Sequence, residues 1–438
     1  MEVLYPKCAG LDVHKDTVVA CVRLASEQEV TRHVATFGTT TSALLNLSEW
    51  LSSHGVTHVA MESTGVYWKP VWHALSGDAI ATDPAAASAT EEAGAFHLVL
   101  VNAMHIKKVP GRKTDVSDAE WIADLLAHGL VDASFVPPTP IQDLRALTRT
   151  RKQLTREKVQ HVQRIQKTLE DANIKLASVI SEITGTSGRA ILNALAKGET
   201  DPEKLYAHVT THIRASKATV VEALRGNVRK PHQFLLRLHL AQVDTLDCAI
   251  DAIDVEVGER LEPFRKATEL LNTMPGVGDV VAQALVSEIG TDMTRFPSAA
   301  NLVSWGALCP GQDESAGKHR SRRTRKGPKW LKTMLVGAAW SAIRKKDTYL
   351  NALFHRIKRK HGSMKAIVAV AASMLRAIYY MLRDGVPYKD LGANHFTTID
   401  RAKTTATLIK RLADLGVRAP RHRERRDRRI VNARIGAS

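Results

Sequence analysis

The chain has 438 residues, too many for one ordinary core, and its 44% hydrophobic and 24% charged residues are those of a folded protein, which excludes a largely disordered chain. The formal charge of +17 makes a polyanion such as nucleic acid the first partner to expect; the plainer alternative is a basic protein that its charge keeps dissolved. Cys8, Cys21, Cys248 and Cys309 stand far apart with no Cys-x-x-Cys pair, which argues against a zinc knuckle or disulfide framework and fits a reducing, cytoplasmic setting. The N-terminus lacks a charged lead before an apolar run, and Ala366 to Leu375 is too short for a bilayer, so no targeting or membrane segment is expected.

Along the chain, Cys8 to Val13 and Thr17 to Val22 flank a His14-Lys15-Asp16 break and predict a β-hairpin. Val30 to Phe37 predicts a third strand, and Thr41 to Ser53 a helix on the face of Leu44, Leu45, Leu47 and Leu51. Thr57 to Met61 is a further strand, Tyr67, Trp68 and Trp72 begin a helix, and Phe96 to Val101 reads as a central strand buried on both faces. The order is that of an α/β layer. Ser76 to Ala95 carries no period and reads as a loop insertion.

Beyond Pro137-Pro138-Thr139-Pro140 the pattern becomes helical. Leu144, Leu147, Leu154, Val162, Ile165, Leu169 and Leu176 recur at helical spacing, and so do Leu235, Leu238, Val243, Leu246, Ile250, Ile253, Val257 and Leu261, which predicts two long helices packed antiparallel as an arm. Leu271 to Gly290 places two helical halves around Pro275-Gly276-Val277-Gly278, a helix-hairpin-helix pattern whose glycines and helix N-terminus suit a phosphate; a plain helix-joining turn reads equally well. Pro387 is followed by a basic stretch, 389–438, expected to be a flexible nucleic-acid-binding or merely solvated tail.

Two constellations carry chemistry. Asp12 lies in the first strand, Glu62 just beyond the strand ending at Met61, and Asp115 and Asp118 are three apart on one face of the helix containing Trp121 to Leu126. Carboxylates gathered at one sheet edge repel one another unless cations sit between them, and an all-oxygen donor set suits Mg²⁺ or Mn²⁺ and phosphodiester cleavage. Taken singly, Asp115 reads equally well as a helix cap and Asp12 as a turn residue. The second constellation is the stretch from Leu308 to Leu331, where Lys318, Arg320, Arg322, Arg323, Arg325, Lys326 and Lys329 form a phosphate-binding loop with strong salt dependence. Ser315 precedes this charge in Ser-Ala-Gly; from composition alone it reads as an ordinary loop residue far more readily than as a nucleophile.

Together Ala9-Gly-Leu-Asp-Val-His-Lys-Asp16, Met61-Glu-Ser-Thr-Gly-Val-Tyr67, Asn102-Ala103, Lys113-Thr-Asp-Val-Ser-Asp118, Glu314-Ser-Ala-Gly-Lys318 and Lys326-Gly327 resemble the insertion sequence one-ten family of DEDD transposases, from about residue 8 to about 388. The resemblance implies an RNase H-like (RuvC-like) α/β domain over 1–137 with Asp12, Glu62, Asp115 and Asp118 as Mg²⁺ ligands. It also implies a helical coiled-coil arm over 138–268 and a mainly α transposase domain over 269–388 with the helix-hairpin-helix and a nucleophilic Ser315. Donor and target double-stranded DNA, a guiding bridge RNA, and dimers pairing into a tetramer are its implied partners. Ser321 stays open as the alternative nucleophile. Ser76 to Ala95 departs from the family pattern, and a shift of the strand after it would keep the acids apart. The rival functions are a RuvC-type junction nuclease, with Ser315 a bystander, and a non-catalytic DNA-binding protein.

Overall fold

The computed structural model describes residues 2–26, 29–62, 65–76, 96–101, 118–210, 213–311, 313–315, 318–321, 324, 327–396 and 401–416. It divides into two compact units, Met1–Val136 and Pro137–Ser438.

In the first unit, β1 (Lys7–Val13), β2 (Thr17–Ala25), β3 (Val30–Gly38), α1 (Thr41–Ser53), β4 (His58–Glu62), α2 (Trp68–Leu75), β5 (His97–Val101) and α3 (Asp118–Ala127) follow the expected order. The sheet runs β3-β2-β1-β4-β5, antiparallel among β1, β2 and β3 and parallel from β1 through β4 to β5. Strand residues alternate faces, and the alternation divides the core. Ala9, Leu11, Val13, Val59 and Met61 pack with Leu44, Leu47 and Leu51 of α1 and Val71 of α2, whereas Cys8, Ala60 and Val101 pack with Ile122, Leu125 and Leu126 of α3.

β5 is an edge strand, not the central one its apolar run suggests. Its residues still bury both faces, Leu100 on the α1 side and Val101 on the α3 side, and a crossing segment covers its outer edge through Ser134 N–H donating to the Leu100 carbonyl at 2.7 Å. Face burial sets composition, and it does not report strand order. The register runs unbroken from His58↔His97 to Glu62↔Val101; residues 77–95 lie outside the described ones.

In the second unit α4 (Thr139–Asp171) and α9 (Lys230–Arg260) form the antiparallel arm. Arg151 meets Asp254, Lys158 meets Asp247, His161 meets His239 and Asp171 meets His232, a descending ladder that fixes the direction. The chain between them, to which the sequence reading assigns no element, folds into α5 (Leu176–Val179), α6 (Thr186–Lys197), α7 (Pro202–Tyr206) and α8 (Lys217–Ala223). These build a separate core at the arm's tip from Ile165, Leu169, Ile191, Leu192, Leu195, Leu205, Leu236 and Leu240. The α9 stripe therefore passes through Leu236 and Leu240, while Leu235 and Leu238 stay exposed, contrary to the expected seam. Near the tip α9 packs on α6 as well as α4, which turns its buried face.

His161 Nδ1 and His239 Nδ1 lie 3.2 Å apart across the arm. Burial, then the neighbouring His161 and Arg164, hold His239 below the usual histidine range. The unfolded chain therefore takes up this proton first, so the contribution is intact above the unfolded value, about 6.5, and is lost as pH falls below it. The thermal midpoint is expected to fall between about pH 7 and 5 less steeply in His239→Gln than in the parent; equal slopes in a pH series of melts would remove His239 as a cause.

The rest of the unit comprises α10 (Arg265–Asn272), α11 (Asp279–Ile289), α12 (Ala299–Trp305), β6 (Asp313–Ser315), β7 (Lys318–Ser321), α13 (Lys329–Ala342), α14 (Tyr349–His361), α15 (Ser363–Asp384) and α16 (Arg401–Asp414). α15 is longer than the apolar stretch suggests and has the length and composition of a membrane span. It buries Ile367, Val370, Met374, Leu375 and Ile378 and packs on α10, α12, α13 and α14, which makes it the central helix of this layer.

The chain just after Pro387 is held to the second unit as far as Asp390. Tyr388 N–H donates to Thr273 Oγ1 at 2.9 Å, the Asp390 carboxylate accepts from Tyr349 N–H at 3.0 Å, and α16 is helical. The arginine run after 417 lies outside the described residues.

α11 is tied to α4 by a buried carboxylate. Glu288 is 2% exposed and accepts from Arg149 Nε at 2.7 Å and Nη2 at 2.9 Å. Arg145 donates to the backbone carbonyls of Ser287 and Glu288, and burial pushes its guanidinium down to about 10 despite the carboxylate beside it. Glu288→Ala would leave both guanidinium groups without that countercharge, and a stability loss of about 3 kcal/mol is expected, at the low end for a broken buried pair because Arg149 is 34% exposed. Urea denaturation checks it; a loss below about 1 kcal/mol would mean the pair is solvated.

Candidate active site

Asp12 and Glu62 each stand one residue past the paired couple Leu11↔Met61 on adjacent parallel strands. Since Leu11 and Met61 point into the α1 side, alternation sends Asp12 and Glu62 to the α3 side. Gly10, on that same face, decides how close α3 comes. A Cβ there would lie 2.2 Å from the Ala119 carbonyl oxygen and 2.4 Å from the Ala123 nitrogen, so only glycine lets the helix backbone rest on β1.

Further contacts give α3 its direction. Cys8 Sγ reaches the Ala123 carbonyl at 3.6 Å and Leu4 N–H donates to the Ala127 carbonyl at 2.8 Å. The helix thus runs antiparallel to β1, and its first residue, Asp118, lies toward the end of the strand that carries Asp12. Asp124 holds the helix laterally, accepting from Arg23 Nε at 2.9 Å and Arg32 Nη2 at 3.0 Å. Burial raises the Cys8 thiol to about 11 and Cys21 to about 12, which leaves both as inert packing groups.

The structure therefore brings Asp12, Glu62 and Asp118 to one end of one face. Asp115 lies outside the described residues. Among the described residues no three His, Cys, Asp or Glu gather closely enough to hold a metal ion. The donor chemistry nevertheless fits a hard divalent cation: these are carboxylates from paired strands and a helix end, with no thiolate. His14 Nε2 lies 3.1 Å from Asp12 Oδ2; the sequence reading treats His14 only as part of the turn.

The second constellation is a β-hairpin. Ser315 ends β6 and pairs with Lys318 across residues 316–317, whereas Ser321 pairs with Asp313 at the other end. A Pro310↔Thr324 bridge extends the hairpin's base, and Lys332 Nζ of α13 donates to Thr324 Oγ1 at 2.5 Å. A Cβ on Gly327 would lie 2.5 Å from Ala307 Cβ, so the chain at Gly327 closes against the end of α12. Ser315 is thus beside the tip and Ser321 at the base. Lys318 and Arg320 belong to β7, while Arg322, Arg323, Arg325 and Lys326 lie outside the described residues.

The expected helix-hairpin-helix is α10, a turn over 273–278, and α11. Gly276 has φ +82°, and a Cβ on it would lie 2.3 Å from the Ala338 carbonyl oxygen, so its lack of a side chain serves packing against α13. Gly278 is open and caps α11, but the first turn already carries the Asp279 carboxylate, which competes with a phosphate there.

Comparison with known proteins agrees with this division. A DEDD transposase family model of the IS110 type, described as "Transposase", matches residues 9–174, and one described as "Transposase IS116/IS110/IS902 family" matches residues 268–355. The chain is 26% identical over 298 residues to the insertion element IS900 uncharacterized 42 kDa protein of Mycobacterium paratuberculosis, covering 63% of this chain and 73% of that one. It is 25% identical over 339 residues to the insertion element IS116 uncharacterized 44.8 kDa protein of Streptomyces clavuligerus, covering 66% and 78%. To the insertion element IS110 uncharacterized 43.6 kDa protein of Streptomyces coelicolor it is 27% identical over 139 residues, covering 32% of this chain and 34% of that one. A transposase, an enzyme of DNA strand transfer, is the class these matches define. The chain belongs to the IS110 family of DEDD transposases, with an N-terminal DEDD region and a C-terminal region of the IS116/IS110/IS902 type.

Proposed function

We propose that the protein cuts and rejoins donor and target double-stranded DNA through a transient phosphoserine link at Ser315, with Asp12, Glu62, Asp115 and Asp118 as the metal-binding acids. The observation that carries the reading is the shared end and face of Asp12, Glu62 and α3's first residue, in a mixed five-stranded sheet consistent with an RNase H-like domain. On this reading residues 1–137 are the DEDD domain, 138–268 the arm, 269–388 the transposase domain and 389–438 a basic tail.

The Ser315 oxygen attacks the scissile phosphorus and its Oγ–P bond replaces the P–O3′ bond. The serine proton goes to a neighbouring base or water, and the departing 3′ oxygen takes up a proton. The 3′ hydroxyl of the second duplex then attacks the phosphoserine, which restores Ser315 and makes the new joint. One ester replaces another at each step, so no outside energy source is needed. Mg²⁺ or Mn²⁺, when bound by the acids, would offset charge on the phosphate oxygens and polarise the attacking group. Lys318, Arg320, Arg322, Arg323, Arg325 and Lys326 hold the backbone beside the serine. Choice of sequence falls to a bridge RNA, and assembly to the arm, as a dimer pairing into a tetramer.

The test combines purified protein, Mg²⁺, RNA transcribed from the element's flanks, and labelled donor and target duplexes, resolved on denaturing gels. A protein–DNA adduct is the expected product. Free cut ends with no adduct would replace this reading with a junction nuclease, and retention without any cutting with a DNA-binding protein.

A further inference from the structure

α4, α11 and α13 enclose a cavity of about 540 Å³, within the size range of small-ligand sites. Its lining combines features that a core gap would not have. Trp330, half-buried, forms part of the wall, and the Arg149 guanidinium lies over its ring, 5.7 Å from the centroid. Arg149 is itself held by the buried Glu288, so that guanidinium and ring are oriented before anything binds.

Three further cations line the cavity. Lys152 and Arg156 follow Arg149 along α4 at helical spacing, and Lys329 opens α13; all three are exposed and have no ion pair or hydrogen bond among the described residues. Among the described residues Glu288 is the only carboxylate in the lining, and Arg149 already neutralises it. An apolar partner would leave three cations without a countercharge, and a bare anion would leave the tryptophan unused. A ligand with a flat aromatic face and adjacent negative charges uses both.

We propose that this cavity receives an unpaired nucleotide of a single strand, its base stacked on Trp330 and its flanking phosphates on Lys152, Arg156 and Lys329. A duplex keeps its bases stacked inside and presents none to the ring, which makes the site selective for unpaired nucleic acid. The inference rests on the transposase reading for its ligand class, since strand exchange and a structured guide both expose unpaired bases. The ribose 2′ hydroxyl is the feature that tells an RNA source from a DNA one, and the test treats the two separately.

The experiment uses the full chain and 12-nucleotide single strands of one sequence, as DNA and as RNA, each with a central 2-aminopurine, beside the matching DNA duplex. Binding is expected to quench the 2-aminopurine in the single strands. Trp330→Leu is expected to weaken single-strand binding about tenfold and abolish the quench, with duplex affinity changed less than twofold. Trp330→Phe keeps an aromatic face and is expected to restore binding to within about threefold, which separates stacking from a folding defect read by thermal melting. Lys152→Gln with Arg156→Gln is expected to lower the single-strand salt slope by about 1.4. The stronger quench between the DNA and RNA arms identifies the source. No quench with the parent protein, or equal single-strand affinity for the parent and Trp330→Leu, overturns the proposal. Adduct formation at Ser315 is scored in parallel on duplex substrates: adduct without quenching removes the cavity's role alone, and quenching without adduct removes the phosphoserine step alone.

Discussion

Ser315→Ala is expected to abolish the covalent protein–DNA adduct, lowering its formation by at least about 10³-fold, because loss of an attacking nucleophile removes the reaction rather than tuning it. Ser321→Ala is expected to leave the adduct within about threefold of the parent. The two serines differ in their place on the strand pair: Ser315 pairs with Lys318 at one end, while Ser321 pairs with Asp313 at the other. Both substitutions sit in strands of three and four residues and should leave the melting temperature unchanged. Asp12→Asn is expected to reduce the adduct as severely as Ser315→Ala, through loss of a metal-binding charge. An adduct that survives in Ser315→Ala and disappears in Ser321→Ala would exchange the two roles; survival in Asp12→Asn would detach the acidic edge from the serine chemistry.

Gly10→Ala is expected to be the most damaging single-methyl change in the first unit. The added carbon would lie 2.2 Å from one α3 backbone atom and 2.4 Å from another, and backbone cannot rotate aside as a side chain can. The helix must lift, at about 1–3 kcal/mol for overpacking, or roughly 3–10 °C in the melting temperature of a unit this size. Lifting α3 also moves Asp118 from the end of the sheet where Asp12 and Glu62 stand, so Mg²⁺-dependent adduct formation should fall by more than the unfolded fraction explains. Gly38→Ala is the control, since its Cβ would meet only Ala43 Cβ at 3.5 Å. Equal melting temperatures for Gly10→Ala and Gly38→Ala would refute the close approach.

Much of the first unit is legible because its signals are local. Strand alternation and the His14-Lys15-Asp16 break specify the hairpin, and the leucines of Thr41–Ser53 specify α1 with both bounds as read, although Leu45, expected on the buried face, is exposed while Leu44, Leu47 and Leu51 are buried. The edge position of β5 is not legible, since a strand covered on both faces has the same composition anywhere in a parallel sheet. On α9 the helix is readable but its phase is not. Leu235, Leu236, Leu238 and Leu240 are all apolar, and the second partner, α6, decides that Leu236 and Leu240 are the ones buried.

The candidate site divides in the same way. Asp12, Glu62 and Asp118 stand out because carboxylates at strand and helix ends are chemically conspicuous, whereas Ser315 stands out only through the family resemblance. Gly10 does not stand out, although a glycine inside a strand is the available signal for a close backbone approach. The nucleotide-sized cavity has no local signature at all: Arg149, Glu288 and Trp330 come from three helices separated by long stretches of chain. Sequence by itself determined the elements of the first unit and the two arm helices, the chemical inventory and the family, because periodicity and residue type act over a few positions. Tertiary structure alone decided strand order, helix phase, the pinning of α3 on Gly10 and the cavity around Trp330, because these depend on which distant surfaces exclude water together.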